Sequence, residues 1–582
     1  MLQKRYLLKG EEGDIIETPE GMFKRVSKAV ASADNLYCNG DTDKAEKEFY
    51  QVMSRLEFLP NSPTLMNAGT PINQLSACFV IYIKDSMEGI FNALKHMALI
   101  HKSGGGVGFS FSKIRPKGDV VKSTKGVASG PTSFMKIFNV ATDVIKQGGR
   151  RRGANMGILD VRHPDILEFI TLKEHEGVLT NFNISVAVDN EFMNAAINNE
   201  EYSLINPRNG KHVKKLNAGK VFDIIVNTAW KCGDPGIIFI DEINRKNAIP
   251  DAGKIEATNP CAEQPLLNYE SCNLGSINLT KMLKSNEIDY NKLKSVVETA
   301  VHFLDNVIDV NDFPISKVET ETLKNRKIGL GIMGFAEMLI MLKIPYDSQD
   351  ALDTAEEIME FITYHARRTS AKLGKLRGSF PNFKGSIYNK EGFAAMRNAT
   401  VTTIAPTGTI SIIADATSGI EPLFAVSFIR DVMEGEKLLE VNKLFENTAK
   451  KEGFYNKELM TKIAKKGSIQ NMDEINESIQ KIFPTAHEID PHWHVKMQAA
   501  FQKHVDNAVS KTVNLPESAS PEDVKEIMLM AYKLKCKGIT VYRYGSKEKQ
   551  VLYLNSYQDD NKKYLNADSE YSGGCPSSSC PL

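Results

Sequence analysis

The 582-residue sequence contains 72 basic and 72 acidic residues, and 42% of its residues are hydrophobic. This balance is typical of a globular protein and provides no excess of positive charge for a nucleic-acid or membrane surface. No apolar run approaches the roughly 18 residues that a membrane helix needs, and the N-terminus lacks a signal peptide's apolar core. We therefore expect a cytoplasmic protein that binds neither DNA nor a membrane.

Residues 1–75 are predicted to form an N-terminal helical region. Thr18 followed by Pro19 is typical of a helix N-terminus, and Phe23 and Val26 follow at helical spacing. We interpret this region as a packing element without chemistry of its own.

Residues 76–545 alternate short apolar segments with longer amphipathic ones, which is the pattern of α/β folds. The predicted strands are 77–83, 107–114, 156–161, 183–188, 236–240, 275–279, 328–332, 400–404 and 538–542. Residues 290–310 and 351–373 are predicted helices, and the charged segment 433–494 is predicted to be a mostly helical insertion. Residues 546–582 are polar, and we expect a flexible tail.

The first candidate site combines small hydroxyl residues with a thiol. Ser62 and Thr64, then Ser76 and Ala77, precede Cys78 at the start of a predicted strand. These residues would bind a substrate while Cys78 reacts. The alternative is a turn followed by a core cysteine.

The second candidate is a basic loop at 146–155, which includes Lys146, Gln147 and Arg151. A basic run is usually a solvated face, but glycines on both sides of this one predict a mobile loop that senses a phosphorylated ligand. The glycine run at 104–108 does not complete a dinucleotide fingerprint, because Phe109 occupies the last glycine position.

The third candidate is the segment 259–264, which reads Asn-Pro-Cys-Ala-Glu-Gln. In an extended segment Asn259, Cys261 and Glu263 would project to the same side, and prolines limit regular structure here, so we expect a loop or an extended finger that brings the three groups to one point. A carboxylate can accept a proton from a hydroxyl, an amide can hold an oxygen, and sulfur can carry an electron or a radical. A structural cysteine in a polar turn is the alternative. Cys272 follows eleven residues later, just before a predicted strand.

The fourth candidate is a turn after the predicted strand 400–404. It contains Pro406, Thr407, Gly408, Thr409, Ile410 and Ser411. Glycine and small hydroxyl residues expose backbone N–H groups, and a helix that starts here would add positive potential for a phosphate. An ordinary turn between a strand and a helix is the alternative.

The fifth candidate is the pair Cys575 and Cys580 on the polar tail. No second Cys or His pair completes four zinc ligands, so a redox dithiol is the better interpretation. His492 and His494 lack a third ligand nearby, and we expect no metal site.

Together these motifs resemble those of ribonucleotide reductases, specifically the adenosylcobalamin-dependent class II enzymes. The strongest matches are 61–64, 259–263, 270–276, 406–409, 510–514 and 537–543. The resemblance implies a ten-stranded α/β barrel of two antiparallel-related five-stranded halves, with a central finger loop that carries Cys261. It also implies ribonucleotide reduction, with diphosphates as the favoured substrates.

The resemblance assigns a role to each residue around the thiol. Cys261 would become a thiyl radical that abstracts the ribose 3′ hydrogen, Glu263 would deprotonate the 3′ hydroxyl, and Asn259 would hold the substrate hydroxyls. Residues 406–411 would bind the phosphates, assisted by Ser62 and Thr64.

The resemblance also assigns the remaining thiols to electron supply. Cys78 and Cys272 would provide two electrons by forming a disulfide, which Cys575 and Cys580 would reduce by thiol exchange. Thioredoxin or a similar dithiol protein would then regenerate the tail.

Control of substrate specificity by dNTP or ATP effectors is a further implication. Asp85, Ser86 and Arg115 fall where the family binds the effector, and Lys146, Gln147 and Arg151 match the loop that relays the effector base to the substrate. Because such sites form at a dimer interface, we expect a homodimer.

Two alternatives remain open from the sequence. A class I large subunit would receive its radical from a separate metal-containing subunit through paired tyrosines, whereas this chain has Tyr542-Arg543-Tyr544. A nucleotide-binding regulatory protein without reductase activity would lack at least one of the reactive thiols. All five of these cysteines are present here: Cys78, Cys261, Cys272, Cys575 and Cys580.

Overall fold

The computed structural model describes residues 2–38, 40–121, 125–145, 153–175, 177–432, 436–546, 552–556 and 563–567. Within these ranges, no helix is both long enough and apolar enough to cross a bilayer.

The structure alternates helices and strands along most of the chain. The helices are α1 (Leu2–Arg5), α2 (Pro19–Ala31), α3 (Thr42–Ser54), α4 (Ser62–Asn67), α5 (Met87–Lys102), α6 (Pro131–Val144), α7 (Ile166–Ile170), α8 (Asn190–Ile197), α9 (Ala218–Cys232), α10 (Ile240–Arg245), α11 (Tyr290–Val310), α12 (Ser316–Asn325), α13 (Phe335–Leu342), α14 (Gln349–Arg377), α15 (Ile387–Lys390), α16 (Gly408–Ala414), α17 (Lys443–Lys451), α18 (Lys457–Lys466), α19 (Glu477–Ile482), α20 (Pro491–His504) and α21 (Pro521–Lys533). The strands are β1 (Phe58–Pro60), β2 (Cys78–Val80), β3 (Gly106–Ser110), β4 (Val120–Val121), β5 (Gly126–Val127), β6 (Asn155–Asp160), β7 (Phe182–Val188), β8 (Glu201–Ile205), β9 (His212–Asn217), β10 (Gly236–Phe239), β11 (Ala257–Thr258), β12 (Pro265–Leu266), β13 (Ser271–Asn278), β14 (Leu283–Lys284), β15 (Glu287–Ile288), β16 (Ile328–Met333), β17 (Ser427–Val432), β18 (Glu436–Val441), β19 (Thr512–Leu515), β20 (Gly538–Arg543), β21 (Leu552–Ser556) and β22 (Lys563–Ala567).

Two parallel half-barrels close on each other. The first half contains β2, β3, β6, β7 and β10 as successive parallel neighbours. In the second half, β13 pairs with β16, segment 400–404 bridges β16 to Val509, and the chain continues from Val509 into β19 beside β20. Antiparallel contacts of β2 with β13 and of β10 with β20 join the halves. The predicted ten-stranded barrel of two five-stranded halves is confirmed.

Polar residues account for three differences between the predicted and the observed strands of the barrel. β13 begins at Ser271 rather than at residue 275, so Cys272 lies on the strand. Segment 400–404 forms only isolated bridges at Thr402 and Ile404. Strand β19 is fully buried but was not predicted, because Thr512 and Asn514 interrupt its apolar pattern. Each of these segments contains buried polar residues, which interrupt the apolar pattern from which strands were predicted.

Helices cover the outside of both halves. The N-terminal helices α2 and α3 pack against α11, and Met22, Val26 and Phe49 join the same hydrophobic core as Leu304 and Ile332 of the second half. The first half has its own core beneath α5, α6, α9 and α21. The helical interpretation of this N-terminal stretch agrees with the structure, and the barrel interior is left for the finger loop.

Candidate active site

The segment 259–264 is a tight turn at the tip of a hairpin inside the barrel. Its stem consists of β11 and β12, where Ala257 faces Leu266. At the tip, Ala262 has a left-handed φ of 64° and its N–H donates to the Asn259 carbonyl over 3.1 Å. Of the two predicted forms, a loop or an extended finger, the structure shows the loop, so a turn and not strand alternation brings the side chains together.

Two glycines of β3 make room for this finger. A Cβ on Gly108 would lie 1.6 Å from the Thr258 carbonyl oxygen, and one on Gly106 would lie 2.8 Å from Pro260 Cγ. The glycine run that fails as a dinucleotide fingerprint therefore permits close backbone approach, which only glycine allows.

Cys78 and Cys272 face each other across the junction of the two half-barrels. They are register partners in the antiparallel pair β2–β13, and both are buried, free thiols. Directly opposed residues in such a pair have Cα atoms about 4.5–5.5 Å apart. That separation is within the range of about 4.4–6.8 Å that disulfides span, so these two thiols can form a bond without a large backbone movement.

Side chains from the finger contact the first of these thiols. Asn259 Nδ2 donates to Cys78 Sγ over 3.1 Å, and the Cys78 thiol lies 3.8 Å from Glu263 Oε1. Within the described chain, Glu263 Oε2 is buried and has no hydrogen-bond partner. The carboxylate therefore retains an acceptor for a hydroxyl that enters from the adjacent cavity.

Burial controls the ionisation of this cluster. It raises the pKa of the Cys78 and Cys272 thiols well above their ordinary values, so both are neutral near pH 7. It also raises the pKa of Glu263 to about 7, although hydrogen bonds from Asn259 and Cys78 act in the opposite direction. A carboxyl group with this pKa can accept and return a proton at neutral pH.

A cavity with about 770 Å³ of empty space, part of it open to solvent, opens onto these groups, and we call it the thiol cavity. Cys78, Asn259, Cys261 and Glu263 line it together with seven of the predicted substrate-binding residues: Ser62, Ala77, Pro406, Thr407, Gly408, Thr409 and Ile410. Helix α16 begins at Gly408, directly after Thr407, so its first N–H groups lie at the cavity wall.

Three predicted substrate-binding residues lie behind the wall instead of in it. The Thr64 hydroxyl donates to the Leu75 carbonyl over 3.0 Å, and Ser411 Oγ lies 3.1 Å from Ser418 Oγ. The Ser76 N–H donates to Gln74 Oε1 over 2.6 Å. Sequence reasoning did not select the lining residues Pro63, Gly104, Gly106, Ala154, Leu274, Gly275, Ser276 and Ala405. Pro63, Leu274, Gly275 and Ser276 lie within the matched segments 61–64 and 270–276, and Ala405 directly precedes 406–409, but no substrate contact was assigned to them.

A second cavity, of about 1130 Å³, also reaches Cys261. Its lining includes Asn183, Ser185, Gly236, Glu421, Gln498, Lys511, Lys537 and Thr540. Gln498 Nε2 donates to the Gly538 carbonyl over 2.8 Å, whereas its buried Oε1 has no partner among the residues that the structure covers. Cys261 is thus accessible from two separate spaces.

Two predicted effector-binding residues contact each other in the loops that follow β2 and β3. Arg115 Nε donates to Asp85 Oδ2 over 2.9 Å, and Ser86 caps α5 by accepting from the Gly89 N–H over 3.0 Å. The other predicted positions, Lys146, Gln147 and Arg151, lie outside the described residues, as do the tail cysteines Cys575 and Cys580.

The histidines near residue 493 are engaged in other contacts. His492 pairs with Asp490 over 2.7 Å and with Glu526 over 3.0 Å, while buried His494 contacts the Ala486 carbonyl over 3.0 Å. In the part of the chain that the structure describes, no group of three or more His, Cys, Asp or Glu residues is arranged to hold a metal ion.

Comparisons with known proteins agree with this architecture. The sequence model described as "Ribonucleotide reductase, barrel domain" matches residues 76–542, and "Ribonucleotide reductase, all-alpha domain" matches residues 1–73. A vitamin B12-dependent ribonucleoside-diphosphate reductase of Thermoplasma acidophilum is 49% identical, with 100% of this chain and 84% of the relative covered. One of Mycobacterium tuberculosis is 48% identical, with 100% and 81% covered. The Actinobacillus ureae class Id ribonucleotide reductase alpha subunit has the same fold, with a TM-score of 0.77, 23% identity, and 94% and 96% of the two chains covered.

Proposed function

This chain belongs to the ribonucleotide reductase family, and from that membership we propose how its residues divide the reaction among them. The protein reduces ribonucleotides to 2′-deoxyribonucleotides and depends on vitamin B12 in the form of adenosylcobalamin. One observation carries the assignment of residues: Cys261 borders two cavities and shares the first with Cys78, Asn259 and Glu263.

The thiol cavity holds the ribonucleotide. A thiyl radical at Cys261 abstracts the 3′ hydrogen of the ribose, and Glu263 accepts the proton of the 3′ hydroxyl. The uncompensated Glu263 Oε2 and the pKa of about 7 suit this role. Asn259 orients the hydroxyls, and the N–H groups at the start of α16 bind the phosphates together with Ser62.

The paired cysteines supply the reducing equivalents. Loss of the 2′ hydroxyl as water consumes two electrons and two protons, and Cys78 and Cys272 release both when their thiols form a disulfide. Their raised pKa values keep these protons on sulfur until they are needed. Cys575 and Cys580 then reduce the disulfide by thiol exchange, and a dithiol protein such as thioredoxin reduces the tail.

The second cavity suits the cofactor. Gln498 Oε1 offers an unpaired acceptor to an amide or amino group, and Cys261 lies at the boundary with the nucleotide. Bound there, adenosylcobalamin would supply the radical chemistry, and the Cys261 sulfur would carry the resulting thiyl radical. Because Cys261 lines both cavities, a cofactor in the second cavity and a nucleotide in the thiol cavity would share its thiol as a contact.

Nucleotide effectors act on this enzyme, as its family implies. We assign Asp85, Ser86 and Arg115 to the effector site, where the Arg115–Asp85 ion pair fixes the loop that follows β3. We also assign Lys146, Gln147 and Arg151 to the relay of the effector signal to the substrate, and we propose that a homodimer completes the site.

The purified chain tests the proposal directly. Incubated with a ribonucleoside diphosphate, adenosylcobalamin and a dithiol, it is expected to form deoxyribonucleotide without any second protein. Product that appears only after addition of a metal-containing subunit would contradict the assignment of the second cavity.

A further inference from the structure

The main-chain carbonyl of Glu263 is held by two donors from outside the finger loop. The Ala508 N–H donates to this oxygen over 2.9 Å, and so does the Thr403 hydroxyl, also over 2.9 Å. Thr403 is fully buried and lines neither the thiol cavity nor the second cavity. Its hydroxyl therefore bonds to the backbone of the proposed base from behind.

The backbone of Thr403 is itself held in place by contacts with β16. The Thr403 N–H donates to the Leu330 carbonyl of β16 over 3.0 Å, and a Cβ on Gly331 would lie 2.5 Å from the Thr403 carbonyl oxygen. These contacts tie segment 400–404 closely to β16. Movement of Thr403 would break buried hydrogen bonds, which is costly when the partners stay buried.

The second donor is equally restrained. The Ala508 carbonyl accepts from the Ile404 N–H over 3.1 Å, and Thr403 Oγ lies 3.1 Å from the same carbonyl. Lys537 Nζ donates to the Asp506 carbonyl over 2.6 Å, just before Ala508. The Glu263 carbonyl is thus clamped between two neighbouring segments of the second half-barrel.

We propose that Thr403 is a positioning residue whose hydroxyl fixes the finger loop at Glu263. Through that backbone it places the Glu263 carboxylate, and Cys261 two residues earlier, against the sugar. The inference rests on the proposed role of Glu263 as the base. Misplacement of reacting groups by about 1 Å can cost about 100-fold in rate, so loss of this single hydroxyl is expected to reduce turnover without weakening nucleotide binding.

Three variants of the full-length enzyme test this role. Thr403→Val keeps the shape and removes the hydroxyl, whereas Thr403→Ser keeps the hydroxyl and removes the methyl group. Thr363→Val is the matched control, because the buried Thr363 hydroxyl donates to Thr402 Oγ over 3.2 Å and does not contact the finger. Measurements are kcat and KM for the ribonucleotide, equilibrium nucleotide binding, and Tm.

We expect Thr403→Val to lower kcat about 10- to 100-fold, with KM and nucleotide affinity changed less than about twofold. Thr403→Ser should restore most of the turnover, and Thr363→Val should leave kcat near that of the wild type. If Thr403→Val does not fold, Thr403→Ala compared with Thr403→Ser provides the same contrast.

The inference is overturned if Thr403→Val retains wild-type kcat, if Thr403→Ser is as slow as Thr403→Val, or if Thr363→Val shows the same loss. Glu263→Gln in the same assay separates this outcome from failure of the proposed function. An active Glu263→Gln enzyme would refute the base assignment, whereas an inactive one beside a fully active Thr403→Val enzyme would refute only the positioning role.

Discussion

Acidification below about pH 7 should remove the proposed base from its active form. Burial moves the pKa of Glu263 from an ordinary value of 4.5 to about 7. At about 1.4 kcal/mol for each pKa unit, the site disfavours the charged carboxylate by about 3 kcal/mol. The ionised fraction, and with it kcat/KM, should therefore fall about tenfold for each pH unit below 7 and reach a plateau above it.

Single-turnover reduction by the prereduced enzyme is the appropriate assay, because thiol exchange with the external reductant has its own pH dependence. The hydrogen bond from Asn259 lowers the pKa of Glu263, so Asn259→Ala should move the acidic limb to higher pH. A limb near pH 4.5 in the wild-type enzyme, or a shift to lower pH in the variant, would refute the electrostatic reasoning.

Stability offers an independent measurement of the same pKa. The folded-state pKa of Glu263 lies above its unfolded value, so the folded protein binds more protons between pH 4.5 and about 7. The free energy of unfolding should therefore decrease as pH rises through this window. Glu263→Gln removes that dependence, and above pH 7 it should be more stable than the wild type by up to about 3 kcal/mol. Equal pH dependence of the two proteins in denaturant titrations would contradict the raised pKa.

Three further outcomes follow from the site. Cys261→Ser should abolish reduction while nucleotide binding, measured by equilibrium dialysis, stays nearly unchanged. The double replacement of Cys575 and Cys580 by serine should spare one turnover and block repeated turnover with thioredoxin; equal loss in both assays would defeat the role of the tail. Gly108→Ala should lower both Tm and activity, because the new Cβ would lie 1.6 Å from the Thr258 carbonyl oxygen. If Tm and activity stay at their wild-type values, the finger loop can move away from β3 without loss of stability, and the reasoning is wrong.

Local sequence was sufficient for the elements whose signals are local. The helix Tyr290–Val310 follows from its apolar periodicity, and the starts of most barrel strands follow from short apolar runs. The residue types around Cys261 also indicate a thiol, an amide and a carboxylate in one segment. Their convergence was expected of a loop or an extended finger, and the structure shows a loop with a left-handed turn at Ala262.

Only the tertiary structure decided which distant residues meet. Cys78 and Cys272 are paired because the two half-barrels join there, and the Glu263 carbonyl meets Thr403 and Ala508 because the barrel closes around the finger. Such contacts leave no local pattern, since they depend on strand order and register. In the same way, two nearby hydroxyl residues take different positions. Ser62 lines the thiol cavity and its hydroxyl lies 2.7 Å from the Tyr6 hydroxyl, whereas Thr64 does not line the cavity and its hydroxyl donates to the Leu75 carbonyl. The physical reason is that backbone closure, which involves residues far apart in the chain, determines the direction in which each side chain points.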